Sequence, residues 1–286
     1  MKLPELVPDK VLTFGDLMTD AVEYAKTHLR TWKGYDWKQR DLIGDFGIRS
    51  AAEITSQEID RWLTAKTKTL AKANRFKAFF SLCFRLGMEN GKLQSNPARL
   101  VRMRRENNAR LRFLGREEYD RLLTVIRRDF PRQAPAFIVS VYTGMRWEEQ
   151  FCLAWQDVRL RRKIIRLVDT KTPNSAEVRS RNVPFNSVAL AALQEQHKLV
   201  PHAPADLVFP EAGDYCRFWF EPSLVAAKVK DYTWHCNRHT LCSWLVQADV
   251  SLKAIQDLSG QKTIAMVARY AHLAPNDLKA ASECMV

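Results

Sequence analysis

The stretch Trp234–Leu245, WHCNRHTLCSWL, crowds two histidines, an arginine and two cysteines into one run with helical spacing. On a helix His235, Arg238 and His239 stand at i, i+3 and i+4 and share one face, while Leu241, Trp244, Leu245 and Ala248 form the stripe expected to be buried. Three readings suit these residue types. Zinc would use His235, His239 and Cys242, since histidines one turn apart can hold one ion. Against it, Arg238 would set a permanent positive charge beside a dication, and no other Cys or His pair stands at ligand spacing. A core helix that is polar at one end is the second reading. An anion site is the third, because arginine's planar fork matches two phosphate oxygens and histidine donates a further hydrogen bond. It needs a second arginine from elsewhere. TGMRWEEQ offers Arg146, which follows the helix stop Thr143-Gly144 and heads the next helix.

The elements that must position these residues follow from periodicity and punctuation. From Thr13 to about Asn96 apolar residues recur at helical spacing, as in Phe14, Leu17, Met18, Ala21, Val22 and Ala25. Thr55 to Glu58, TSQE, fits a capping box, and Asn96-Pro97 a helix stop with a turn. FLGREEYDRLL starts a fresh helix with Gly115 as its cap. KIIRLVDT and RSRNVPF are short and rich in β-branched residues, with the turn-forming KTPNSAE between them, so a β-hairpin or small sheet is expected with Lys171 at its loop end. Helical periodicity resumes near Val188. The expected fold is mainly α with a small β-hairpin or sheet in the C-terminal part, divided into residues 1–104, a basic linker 105–112, and 113–286.

Composition bounds the partners. At 286 residues the chain can bury two cores, and no apolar run approaches the roughly 18 residues of a membrane span. The N-terminus MKLPELVPDK lacks the apolar core of a secretion signal, so a soluble intracellular protein with no membrane partner is expected. Six cysteines lie scattered without C-x-x-C spacing, which suggests reduced thiols acting as small buried hydrophobes. The formal net charge of +13 is self-repelling and calls for a polyanion. It is also patterned: Arg61, Lys66, Lys68, Lys72, Arg75 and Lys77 form a run with no acidic residue between them. RLVRMRRENNARLR, from Arg99 to Arg112, holds Arg102, Arg104 and Arg105 among its arginines against one glutamate. Two such runs favour phosphate contacts over a merely solvated basic face.

YTGMRWEEQFCLAWQDV, then HCNRHTLCSWLVQADVSLKAIQDLSGQKTIAMVARYAHLAP, resemble in content and order the tyrosine recombinases, most closely the phage integrase branch. The resemblance covers essentially the whole chain and implies a two-domain clamp, a helical core-binding domain plus a catalytic domain. It makes Arg146 and Arg238 clamps on a scissile phosphate and His235 a hydrogen-bond donor or proton carrier there. Lys171 matches the hairpin lysine that protonates the departing 5′ hydroxyl, Tyr270 the nucleophile, and Glu149 and His239 supporting positions. It further implies double-stranded DNA as partner, a homotetramer on DNA, accessory DNA-bending or directionality proteins, and a cytoplasmic, nucleoid-associated place in a bacterium or phage.

The chemistry suits the residue types. A phosphodiester attacked by a phenol develops charge on its non-bridging oxygens, which two guanidiniums and a histidine can stabilise, so no metal or other cofactor is expected. A phenol is a weak nucleophile at neutral pH and needs a base or a cationic neighbourhood. The covalent phosphotyrosine conserves the bond energy, and the chain has no G-x-x-x-x-G-K-[ST] phosphate loop.

Three positions depart from the family pattern. Gln261 stands where the family usually has histidine; it can donate a hydrogen bond but cannot shuttle a proton, a loss of about 10²- to 10⁴-fold where the proton matters. Glu148 replaces a small residue, and Asp249 replaces a turn glycine at a position suited to the left-handed conformation. Gln261 keeps open an alternative, a DNA-binding relic or regulator with weakened catalysis. Phage integrases often carry a further N-terminal domain for accessory arm sites, and with about a dozen residues before the first helix here, either a short recombinase of the simpler kind or a chain lacking that module is expected. The tail after Tyr270 is expected to form a short helix that docks on a neighbouring subunit.

Overall fold

The computed structural model describes residues 11–29, 32–106, 111–168, 180–210 and 216–274. The chain divides into two compact units, residues 1–108 and 109–286.

The first unit is helical: α1 (Phe14–His28), α2 (Lys33–Phe46), α3 (Ser56–Lys66) and α4 (Leu70–Glu89). Each capped start is written locally. Thr13 and Asp16 exchange side-chain and backbone hydrogen bonds at the head of α1, and Thr55 and Glu58 do the same for α3, as the TSQE pattern predicts. The Thr55 backbone N–H, and then Arg49, hold the Glu58 carboxyl down to about 2. The apolar faces meet in an aromatic core where the Phe14 ring lies 5.2 Å from Phe80 and 5.1 Å from Phe84. Helix α4 stops at Glu89, ahead of Asn96-Pro97, which instead begin a single tight turn.

The basic stretch beyond that turn is tied down. Asn74, buried on α4, donates to the Arg104 carbonyl oxygen at 2.8 Å and accepts from the Arg104 N–H at 2.8 Å. Val101 is 6% exposed. This stretch therefore shares the unit's core through 101 and its polar pairing through 104, which its arginine-rich composition conceals.

The second unit carries α5 (Arg116–Asp129), α6 (Ala134–Thr143), α7 (Trp147–Phe151), strands β1 (Val158–Arg159), β2 (Ile164–Val168) and β3 (Ser180–Pro184), then α8 (Ser187–Leu199), α9 (Cys216–Ala226), α10 (Cys236–Gln247), α11 (Leu252–Ser259) and α12 (Ile264–Ala268). Gly115 caps α5 as expected, its N–H donating to Glu118. The expected hairpin is present as β2 and β3, paired antiparallel with Ile165 opposite Val183, and β1 extends it to three strands. Along β2 Ile165 and Leu167 point inward between more exposed neighbours, the alternation of a half-buried strand. Helix α6 is apolar on every side and correspondingly buried, and it packs against α8 and α10. Asp249 adopts φ 58°, the left-handed turn expected of it.

Two expectations change. Helix α10 has no single buried stripe: Cys236, Asn237, Arg238, Thr240, Cys242, Ser243, Trp244 and Val246 are all buried, whereas Ala248 is exposed and Leu241 and Leu245 are half-covered. The helix runs through the middle of the unit, so its polar side is enclosed as well, and Tyr232, Asn237, Thr240 and Ser140 satisfy one another there. The thiols are not uniformly buried either. Cys83, Cys236 and Cys242 are, but Cys152 is exposed and Cys216 half-buried; Cys284 lies outside the described residues. Among the described residues no helix is long and apolar enough to cross a membrane.

Candidate active site

Arg146 owes its place to the end of α6. That helix closes on Gly144 in the left-handed conformation (φ 60°), and a Cβ there would fall 2.6 Å from the Leu241 side chain. The chain turns, and Arg146 becomes the residue before α7. Its backbone N–H donates to Glu149 Oε2 at 2.8 Å, its Nη1 to Glu149 Oε1 at 2.7 Å, and its Nη2 to the Gly260 carbonyl at 3.3 Å. A second guanidinium reaches the same carboxylate: Arg181 Nη2, from β3, lies 2.7 Å from Glu149 Oε2. Burial pushes the Glu149 carboxyl upward, but the charge of Arg181 and the hydrogen bonds from Arg146 outweigh it and hold the group below the usual carboxylate range.

Arg238 is 5% exposed, and its Nη1 donates to the Gly144 carbonyl at 2.8 Å. The turn that launches Arg146 thus also orients Arg238. A neutral carbonyl does not cancel a buried positive charge, and burial together with the charge of Arg146 lowers the Arg238 guanidinium to about 10. His235 stands exposed at the start of α10. Partial desolvation, then the charges of Arg238, Arg146 and Arg269, lower its imidazole below the ordinary value, so it is neutral at pH 7 with one N–H to give. Cations that depress one another in this way form a pocket suited to an anion.

Tyr270 follows α12 and lies 1% exposed in a small apolar cluster with Cys242, Val246, Ile255 and Val267. Its Oη is 2.6 Å from His239 Nδ1. Burial, then the neighbouring Cys242, raises the phenol well above its usual range, with Arg269 and Arg238 opposing. His239 is half-buried beside His235, ring centroids 5.1 Å apart, and desolvation followed by the charge of His235 brings it down to about 4. Both histidines border an open cleft of about 590 Å³ that Arg112, Glu221, Asp231 and Tyr232 also line.

Gln261 is 8% exposed, and its amide nitrogen meets Cys242 Sγ at 3.5 Å. It stands in the wall beside Tyr270 while its neighbour Gly260 touches Arg146. Arg146, Glu149, His235, Arg238, His239, Gln261 and Tyr270 are therefore gathered from four segments into one region. Lys171 lies outside the described residues. Two neighbours escape sequence reasoning. Arg181 sits two residues from buried Val183 on the same face of β3, so a charge on an inward face is the available signal. Cys242 reads in sequence as a packing thiol, and no spacing reveals its place between Gln261 and Tyr270.

The basic residues of the first unit are less uniform. Lys66 pairs with Asp45 at 3.5 Å and Lys72 with Asp41 at 3.4 Å, while Arg104 donates to Thr64 at 2.7 Å. Lys68, Arg75, Arg102 and Arg105 are exposed and Lys77 is half-buried. For zinc, His239 Nδ1 is engaged by Tyr270 and Cys242 is enclosed with Gln261, so the three candidate ligands do not face one point. Among the described residues no metal-holding group of His, Cys, Asp and Glu is present.

Comparison with known proteins bears on the family and the fold. The model of the phage integrase family matches residues 112–277. The integrase of Salmonella phage P22 is 29% identical over 194 residues, 63% of this chain and 49% of that protein, so the chain spans about half the length of that relative. Among solved structures, the Tn1549 transposon integrase in complex with a circular intermediate DNA aligns at TM-score 0.76 and 18% identity, covering 96% of this chain and 98% of the other. A lambda integrase tetramer bound to a Holliday junction aligns at TM-score 0.76 and 18% identity, covering 92% and 78%. At such identities these two establish a shared fold, mostly helical with a small antiparallel sheet.

Proposed function

Since the chain belongs to the phage integrase family, we propose that it is a site-specific DNA recombinase that cleaves and rejoins DNA through a 3′-phosphotyrosine. The observation that carries this reading is the joint placement of Arg146 and Arg238 at the Gly144 turn, with the Tyr270 hydroxyl bonded to the helix that bears Arg238. In this reading Arg146 and Arg238 hold the non-bridging oxygens of the scissile phosphate, His235 donates a further hydrogen bond, and Tyr270 attacks phosphorus. Lys171 protonates the departing 5′ oxygen. Glu149 keeps Arg146 in place, and Gln261 supports the wall beside the nucleophile.

Residues 1–104 act as the core-type DNA-binding domain, 105–112 as a basic linker and 113–286 as the catalytic domain with its tail. Lys66, Lys68, Lys72, Arg75, Lys77, Arg102, Arg104 and Arg105 contribute phosphate contacts along duplex DNA. The partner is double-stranded DNA in the cytoplasm of a bacterium, and the working assembly is a homotetramer, a reading supported by the tetrameric lambda integrase of the same fold. Accessory DNA-bending or directionality proteins complete it.

The test uses a nicked suicide substrate that carries the attachment site, found by sequencing the DNA flanking the gene for short repeats. Wild type is expected to form a denaturant-resistant protein–DNA adduct and Tyr270→Phe none; no adduct with wild type, or an equal one with Tyr270→Phe, defeats the catalytic reading.

A second reading, a DNA-binding relic with weakened catalysis, is favoured by Gln261 and by the direction of its amide toward Cys242. It predicts an adduct only after Gln261→His.

A further inference from the structure

The nucleophile's proton needs somewhere to go. We infer that His239 is the proton acceptor for Tyr270, the general base of the cleavage step and the acid that returns the proton when the strand is rejoined. This rests on the recombinase reading above and assigns to His239 a role at the reacting atom itself.

Geometry makes the case. The Tyr270 Oη lies 2.6 Å from His239 Nδ1, within the heavy-atom reach of direct proton transfer. In the proposed transfer the phenolic O–H donates and Nδ1 supplies the lone pair, the neutral tautomer protonated on Nε2. The pair is fixed by its surroundings: His239 stands on α10, between the turn of Arg238 and the thiol of Cys242, and Tyr270 is held by Val246, Ile255 and Val267. Other groups near the phenol are poorer acceptors. Burial keeps the Cys242 thiol protonated. His235 lies with its ring 5.1 Å from that of His239, and it is His239 that the phenol oxygen meets.

Charge then sets the timing. The groups facing His239 are His235 and Arg238 on its own helix, Arg269 and Tyr270 at the end of α12, Cys242 one turn on, and Asp231, Glu221 and Arg112 around the cleft. Burial first, and then the neighbouring positive charges, keep the imidazole unprotonated at neutral pH, ready to accept, and the buried phenol is a weak acid until substrate arrives. A phosphodiester seated on Arg146 and Arg238 brings a negative charge that relieves this depression and makes the imidazole more basic as the phenol attacks. In the step, the Oη–H bond breaks toward Nδ1 and the Oη–P bond forms. The P–O5′ bond breaks, its electron pair stays on O5′, and the lysine ammonium of the proposed site protonates that oxygen. Rejoining reverses each transfer. His239 also borders the open cleft.

The test compares wild type, His239→Asn, and both proteins with difluorotyrosine, a more acidic phenol, in place of Tyr270. Cleavage rates on the nicked attachment-site substrate are measured at saturating protein across neutral to alkaline pH, with DNA binding followed separately. Asparagine can accept the hydrogen bond but cannot hold the proton. His239→Asn is expected to lower the rate about 10²- to 10⁴-fold at neutral pH with DNA affinity unchanged. Its rate should then climb with pH where wild type is flat, and difluorotyrosine should restore it. Wild-type cleavage by His239→Asn overturns the assignment, as does a loss that neither alkaline pH nor difluorotyrosine repairs, since that marks a packing role. No adduct with wild type overturns the recombinase reading and this assignment together; an adduct with wild type and with unimpaired His239→Asn leaves the recombinase reading standing and removes only the base.

Discussion

Glu149 is held by two guanidiniums, and the consequences of removing either partner differ. Its side chain is 19% exposed and that of Arg181 25%, so their attraction is partly shielded from solvent. Arg181→Ala leaves Glu149 still bonded to Arg146 and is expected to lower unfolding stability by about 1 to 2 kcal/mol, measured by denaturant titration. It should also slow adduct formation, because Arg181 crowds the Gly260 turn that accepts from Arg146. The pH sign follows from the depressed carboxyl. Its linked stability is fully present above the ordinary value of 4.5 and is lost as pH falls through the lower folded value. A thermal scan from neutral into acid should show that loss, and Glu149→Gln should flatten this part of the curve. Of these residues Arg146 and Glu149 are legible from motif and spacing. Arg181 is not, because its partner lies 32 positions away across a strand and a helix.

At the scale of elements, the end of α6 governs the site more than any helix interior does. Gly144 must be left-handed for the chain to turn into Arg146, and its carbonyl also receives Arg238. Gly144→Ala meets both a strained φ and a Leu241 methyl, so a stability loss of about 1 to 3 kcal/mol is expected in thermal or denaturant unfolding, with cleavage falling by more than DNA binding. Turn and cap chemistry of this kind is readable in the sequence: Thr55 and Glu58, Gly115, the β2–β3 hairpin and left-handed Asp249 all depend on near neighbours in the chain. The buried stripe of α10 is misjudged by periodicity, which assumes a helix with one solvent face. This one is enclosed, and Asn237 and Thr240 find hydrogen-bond partners in Ser140, Tyr232 and the Leu114 N–H, outside the helix.

For the molecule as a whole, the net charge of +13 is the dominant statement about partners. Some of the basic residues are already engaged: Lys66 and Lys72 meet aspartates, and Arg104 is drawn to α3. Of the proposed phosphate contacts, exposed Lys68, Arg75, Arg102 and Arg105 are therefore expected to contribute most to phosphate neutralisation. Replacing Lys68 or Arg75 by alanine should make the slope of log affinity against log salt shallower by about one for each phosphate no longer neutralised, with little effect on stability. Binding measured over a series of salt concentrations checks this, and an unchanged slope removes the residue from the interface.

Read by itself, the chain determined its helices, hairpin, caps and charge runs, because those depend on residues within a turn or two of each other. Ordered motifs also marked the family, and singled out Arg146, His235, Arg238 and Tyr270 as its proposed site. Only the tertiary structure decided which atoms meet. It turned Tyr270 toward His239, sent the Gln261 amide to Cys242, and joined Arg181 to Glu149. Such pairings join segments far apart in sequence, and their geometry is set by how whole helices pack, which no local pattern records.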